Sequence, residues 1–204
     1  LILKGKQVSS KIKEELAGKI LSLKKKGITP SLAAVIVGDN PASKLYVSSK
    51  AKTFSKLDCY SEIFELSSDI KKDELINFIQ DLNKNKKFHG ILLQLPLPKH
   101  LDEKEILQVI VPEKDVDGFH PVNQGYIMQG NPKFIPCTPL GCLKILDYYD
   151  IDVEGKDIVV IGRSNIVGKP IASLLSQNFS YGNATVTLCH TRTKKLESYT
   201  QKAD

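Results

Sequence analysis

The chain has 204 residues, 41% of them hydrophobic and 25% charged, enough to bury one good core or two small ones and too apolar for a disordered polymer. Its longest apolar runs, such as 91–95 and 158–161, are far too short to cross a bilayer. No basic, apolar leader opens it, so a soluble cytoplasmic protein with no membrane partner is expected. The net charge of +6 raises the question of nucleic acid, yet the lysines sit in helix-flanking runs, 24–26 and 84–87, without interleaved aromatic residues. Such runs are either solvated helix ends or the source of a positive field that concentrates small anionic ligands.

In chain order, apolar residues recur at helical spacing from Val8 through Ile12, Leu16 and Ile20 to Leu23, and Gly27 with Pro30 stops the pattern. Residues 32–37 form a continuous apolar run closed by Gly38, the mark of a strand buried on both faces and hence of a parallel sheet. Helix 41–57, strand 61–66, helix 72–83, strand 89–95 and helix 102–110 follow, an alternation that implies stacked βαβ units. Residues 115–136 carry glycines and prolines without a clear period and read as an irregular stretch. Thr138 before Pro139 predicts a helix N-cap and a helix to about Tyr149, then strand 157–161, helix 169–177 and strand 184–189. The fold class is therefore α/β in two domains, 1–138 and 139–204. The second offers only two strands, so more of it is expected beyond residue 204. Cys59, Cys137, Cys142 and Cys189 show neither a CxxC pair nor zinc spacing; buried free thiols and no metal are expected.

Gly162, Arg163, Ser164, Asn165, Ile166, Val167 and Gly168 lie between a predicted strand and helix, where a dinucleotide fold places its phosphate turn. The spacing departs from GxGxxG, with Ser164 at the second glycine, so a plain tight turn stays open on the motif alone. After the next strand an NAD enzyme usually carries an acid for the ribose hydroxyls; here His190, Thr191 and Arg192 follow. Arg163 in the turn, with Thr191 or Arg192, suits a 2′-phosphate, which predicts NADP over NAD. Exposed surface cations are the plainer reading, better suited to Arg192 than to Arg163.

Tyr46 and Lys50 are four apart on one helix face beyond the strand ending at Gly38. Gln94 lies at the carboxyl end of another strand and Asp117 in a loop; in open α/β sheets ligands collect at that edge. Singly each has an ordinary explanation, from exposed Tyr and Lys to an Asx turn at Asp117 and Gly118.

Residues 46–50 (YVSSK), 90–98 (GILLQLPLP), 112–121 (PEKDVDGFHP), 136–141 (PCTPLG) and 162–170 (GRSNIVGKP) together closely resemble the methylenetetrahydrofolate dehydrogenase/cyclohydrolase family, in order and over essentially the whole chain. The resemblance implies a folate-binding βαβ domain followed by a Rossmann-like NADP domain, with further strands, a glycine-rich segment and a terminal helix after residue 204. It implies oxidation of 5,10-methylenetetrahydrofolate with NADP, then hydrolysis to 10-formyltetrahydrofolate. Lys50 is then the acid/base of hydrolysis, Tyr46 stacks on or bonds the folate, Gln94 positions Lys50, and Asp117 holds the pterin; Gly162, Arg163, Ser164 and Thr191 take the cofactor. Family members carry serine where Thr191 stands, which keeps the hydroxyl. The resemblance also implies a homodimer acting on small molecules. An NAD-using dehydrogenase without hydrolysis is the nearest rival, opposed by Lys50 and Arg163. A non-catalytic nucleotide- or nucleic-acid-binding module is the rival suggested by the +6 charge.

Overall fold

A computed structural model describes residues 2–204. It divides into two compact units, one of Ser9–Val116 and one of Asp117–Asp204 joined by the N-terminal segment up to Val8. No helix among the described residues is long and apolar enough to cross a membrane.

In the first unit, β1 (Ser31–Val37) is the middle strand of a parallel sheet of order β2-β1-β3, between β2 (Tyr60–Leu66) and β3 (Gly90–Leu93). Val35 sits opposite Phe64 on one side and Leu93 on the other. All seven residues of β1 are buried. Since side chains alternate along a strand, the two faces fill separately. Ala33, Val35 and Val37 pack with Leu75, Ile79 and Leu82 of α3 (Lys72–Lys84); Leu32, Ala34 and Ile36 pack with Val47 of α2 (Pro41–Lys56). A run apolar at every position is what a strand covered on both faces requires, and it explains why the expectation from 32–37 holds.

The helices are set by their ends. Asn40 caps α2, its side chain accepting from Ala42 N (3.0 Å) and Ser43 N (3.2 Å), and Pro41 enters at the first turn, where its missing N–H costs nothing. At the far end of α3, Lys114 Nζ donates to Leu82 O (3.1 Å) and Asn85 O (2.8 Å), adding a second partner to carbonyls at the helix end. Partial burial there holds the Lys114 ammonium below the ordinary lysine pKa. The helix expected over 102–110 is shorter, α4 (Glu103–Leu107), capped by Asp102. The opening helix α1 (Gly5–Lys24) has the expected period, but only Val8 is buried, and Leu16, Leu21 and Leu23 are exposed.

In the second unit, β4 (Asp157–Ile161) and β5 (Thr185–Cys189) pair in parallel, Ile161 opposite Cys189. Against them α7 (Gly168–Ser176) buries Ile171, Leu174 and Leu175 in a cluster with Ile127 and Leu143. Ile127 belongs to α5 (Pro121–Met128), a helix inside the stretch read as irregular. That expectation is corrected: Pro121 starts the helix, the His120 ring accepts from Val122 N (3.1 Å), and Asn123 with Ile127 are buried one turn apart. Two turns with a central Gly125 are too few to show a period. Thr138 is likewise not a cap, since α6 (Cys137–Tyr148) begins before it with Pro136 at the cap position. A short α8 (Glu197–Thr200) follows β5. Of the four cysteines, all free, only Cys189 is buried; Cys137 and Cys142 lie on exposed positions of α6, against the expectation of buried thiols.

Gly90 opens β3 with its α-carbon against Val116, and a Cβ there would overlap Val116 Cγ1. Gly90→Ala is expected to destabilise the first unit by about 1–3 kcal/mol through overpacking, and Val116→Ala in the same chain to recover part of that loss. Urea unfolding of the two single variants and the double variant measures the coupling; additive losses would refute it.

Candidate functional site

The first group of site residues grows from the carboxyl edge of the β2-β1-β3 sheet. Burial of Ser43 and Val47 fixes which side of α2 faces the core, and leaves Tyr46 exposed and Lys50 half-buried, one turn apart. Gln94 lies one residue beyond β3, where its N–H still donates to Val35 O (2.9 Å), so the strand pairing holds its backbone in place. Its side chain is fixed at both ends. Nε2 donates to Leu95 O (2.7 Å), which can only accept; Oε1 is thereby turned toward Lys50, whose Nζ donates to it at 3.4 Å. That second bond is long. The structure thus brings Lys50 and Gln94 together across 44 residues of sequence, with Tyr46 on the same helix.

Asp117 belongs to the second unit. Its Oδ1 lies 3.8 Å from the thiol of Cys137, which donates to it from the first position of α6.

The second group lies where β4 and β5 end. Gly162 N donates to Cys189 O (2.8 Å), carrying the pairing one residue past the strands. Gly162 has φ +127°, a conformation that L side chains rarely adopt. Six residues on, a Cβ on Gly168 would overlap the Gly162 carbonyl, so the loop closes on itself only because both are glycine. Ser164, the departure from the glycine pattern, is used inside the turn: its Oγ accepts from Val167 N (3.1 Å) and Gly168 N (3.3 Å), and its carbonyl accepts from Lys169 N (3.0 Å). Arg163, Asn165 and Ile166 keep their N–H groups out of these bonds, at the entrance to α7, where the helix dipole favours an anion. Arg163 and Thr191 are both exposed, and each stands two residues past the paired Ile161 and Cys189. Lys169 Nζ bonds Asn165 Oδ1 (2.7 Å) beside a cleft of about 340 Å³ lined in part by Phe119, Pro121, Met128 and Ser173; Arg163, Ser164 and Thr191 do not line it.

Two family models match the chain: the tetrahydrofolate dehydrogenase/cyclohydrolase catalytic domain over residues 3–117 and the NAD(P)-binding domain of the same enzymes over residues 136–204. The chain belongs to the tetrahydrofolate dehydrogenase/cyclohydrolase family. It is 51% identical over 203 residues to the bifunctional protein FolD of Brevibacillus brevis, spanning all of this chain and 70% of that one. Among solved structures it is similar to the bifunctional methylenetetrahydrofolate dehydrogenase/cyclohydrolase of Campylobacter jejuni, with 51% identity, a TM-score of 0.94, and coverage of 100% of this chain and 71% of that one. It is also similar to the Trypanosoma brucei methylenetetrahydrofolate dehydrogenase-cyclohydrolase complexed with NADP cofactor and inhibitor, at 32% identity and a TM-score of 0.92, covering 100% of this chain and 69% of that one.

As a dehydrogenase/cyclohydrolase family member, the chain carries its glycine turn as a close backbone contact that tolerates no side chain. Gly168→Ala is expected to cost about 1–3 kcal/mol, whereas Gly141→Ala in α6, whose Cβ meets nothing within 4 Å, is expected to gain up to about 1 kcal/mol from helix propensity. Thermal unfolding of the two variants measures both, and equal melting temperatures would contradict the clash.

Proposed function

We propose that the protein oxidises 5,10-methylenetetrahydrofolate to the 5,10-methenyl cation with NADP and hydrolyses the cation to 10-formyltetrahydrofolate. Membership of the dehydrogenase/cyclohydrolase family over both domains carries this reading. The contact of Lys50 with Gln94 supports the hydrolytic half in particular. The NADP bound by the Trypanosoma brucei relative supports the cofactor. We assign residues 1–138 to the folate side and 139–204 to the nucleotide side.

The second unit's residues fit the nucleotide. The turn from Gly162 to Gly168 is closed by its glycines, Gly162 through its positive φ and Gly168 through its contact with the Gly162 carbonyl, and the Arg163, Asn165 and Ile166 N–H groups outside its bonds suit a pyrophosphate. Arg163 and Thr191 offer a guanidinium and a hydroxyl for the 2′-phosphate, with no carboxylate in 190–193 to repel it. When bound, NADP supplies the hydride acceptor. For hydrolysis Lys50 accepts a proton from water as the oxygen adds to the methenyl carbon and returns it to N5 as the N5–carbon bond breaks; the hydroxyl of the adduct loses its own proton to solvent as it becomes the carbonyl of the formyl group on N10. Gln94 turns the amine by accepting from it without adding a negative charge. Tyr46 offers the folate a ring face beside Lys50. Asp117 accepts from pterin N–H groups and favours the developing cation. We infer a homodimer, which sedimentation equilibrium tests.

Adding methylenetetrahydrofolate and NADP and following methenyl absorbance tests the function directly. Lys50→Met is expected to remove cyclohydrolase activity by about 10²-fold or more, the usual contribution of a positioned acid/base, and to leave whatever dehydrogenase activity folate positioning permits. Wild-type hydrolysis in that variant would end the Lys50 assignment. Asp117→Ala is expected to raise the folate KM in both reactions by roughly tenfold or more, as loss of a charged hydrogen bond predicts; an unchanged folate KM would count against the pterin contact.

A further inference from the structure

Beyond β5 the chain makes one four-residue turn, and three hydrogen bonds close it. Thr193 N donates to His190 O (2.8 Å), the bond of a β-turn whose two corner residues are Thr191 and Arg192. The Thr193 hydroxyl accepts from His190 N (2.8 Å), so His190 and Thr193 bond each other in both directions. The His190 ring adds the third: Nδ1 accepts from Arg192 N (3.1 Å), which fixes the second corner. This acceptor role assigns the ring proton of the neutral imidazole to Nε2.

The turn starts directly after the bond that ties the glycine loop to the end of β5. The bond from Gly162 N to Cys189 O aligns Gly162 with His190, so Arg163 and Thr191 leave the sheet at the same level. Thr191 and Arg192 are exposed, while His190 and Thr193 are half-buried. The corner residues are therefore presented outward, and the inner pair determines how they are held. A hydroxyl and a guanidinium that must meet a phosphate together bind it well only when their spacing is set in advance, because ordering them at binding has to be drawn from the affinity.

Resting on the NADP assignment above, we propose that Thr193 is the positioning residue of the 2′-phosphate site: its hydroxyl, bonded to His190 N, holds the 190–193 turn in the shape that presents Thr191 and Arg192 beside Arg163. Thr193 does not touch the nucleotide. It acts through the turn, and so affects the cofactor that carries a 2′-phosphate and not the one that lacks it. The hydroxyl is what matters, so serine serves where valine, of the same shape, does not.

The dehydrogenase assay with NADP and with NAD tests this in four variants. Thr193→Val is expected to raise the KM for NADP roughly three- to tenfold, the range of one lost neutral hydrogen bond, with kcat at saturating NADP and the KM for NAD unchanged. Thr193→Ser is expected to restore the wild-type KM. Arg163→Ala and Thr191→Ala are expected to lower the preference for NADP over NAD directly. If those two leave the preference at its wild-type value, the phosphate assignment itself falls. If they lower it while Thr193→Val does not, or raises both KM values alike, or if serine fails to restore it, the role of Thr193 alone is overturned. Should Thr193→Val not fold, Thr193→Ala against Thr193→Ser makes the same comparison.

Discussion

Parallel pairing is the constraint on which both halves of the molecule depend. In β2-β1-β3 and again in β4-β5 every strand runs the same way, so all carboxyl ends in a sheet share one edge. A parallel connection must cross over, and the crossing helices cover the faces. This accounts for the burial of β1 on both sides and for α2 starting at the edge where β1 ends. It also accounts for where the chemistry lies: Gln94 one residue beyond β3, Gly162 one beyond β4, His190 one beyond β5. Gln94 and Gly162 are each held by a last rung of the ladder, while His190 already bonds Thr193 within the turn that follows.

That constraint is also what could be read beforehand. The uninterrupted apolar run of β1 admits few alternatives, and Asn40 with Pro41 gives α2 a start that local chemistry alone explains. The helix α5 escaped because its cap comes from a histidine ring and its buried face rests on only Asn123 and Ile127. For α1 the period was legible but the burial was not, since a period shows where a helix is apolar and not what packs there. The site divides in the same way. Spacing placed Tyr46 and Lys50 on one face; the Lys50 contact with Gln94 joins residues 44 apart and follows from no local pattern. It took the family resemblance to connect them in advance.

Ser164 shows how a departure from a motif is absorbed. A phosphate turn needs its two ends to approach closely, as Gly162 and Gly168 do, and needs amides that its own bonds leave for the ligand. At the intermediate position a small side chain is tolerated if it hydrogen-bonds inward, and the Ser164 hydroxyl accepts from two amides that would otherwise compete for the ligand's place. The turn is thereby closed by a side chain and kept open by backbone. The same division recurs after β5, where Thr193 and His190 bond each other inward, the Arg192 N–H bonds the His190 ring, and the Thr191 and Arg192 side chains are left exposed.

Gln94 illustrates why the type of polar group matters more than its presence. An apolar residue of similar size would leave the Lys50 amine without a partner on that side. A glutamate would accept from it as well, but its negative charge favours the ammonium form, and its second oxygen would face the Leu95 carbonyl, acceptor against acceptor. The amide avoids both faults with one group: its N–H satisfies Leu95 O, and that bond compels the carbonyl end to face Lys50. Orientation is thus enforced by a main-chain carbonyl that cannot change its role, and the amide adds no charge beside the amine.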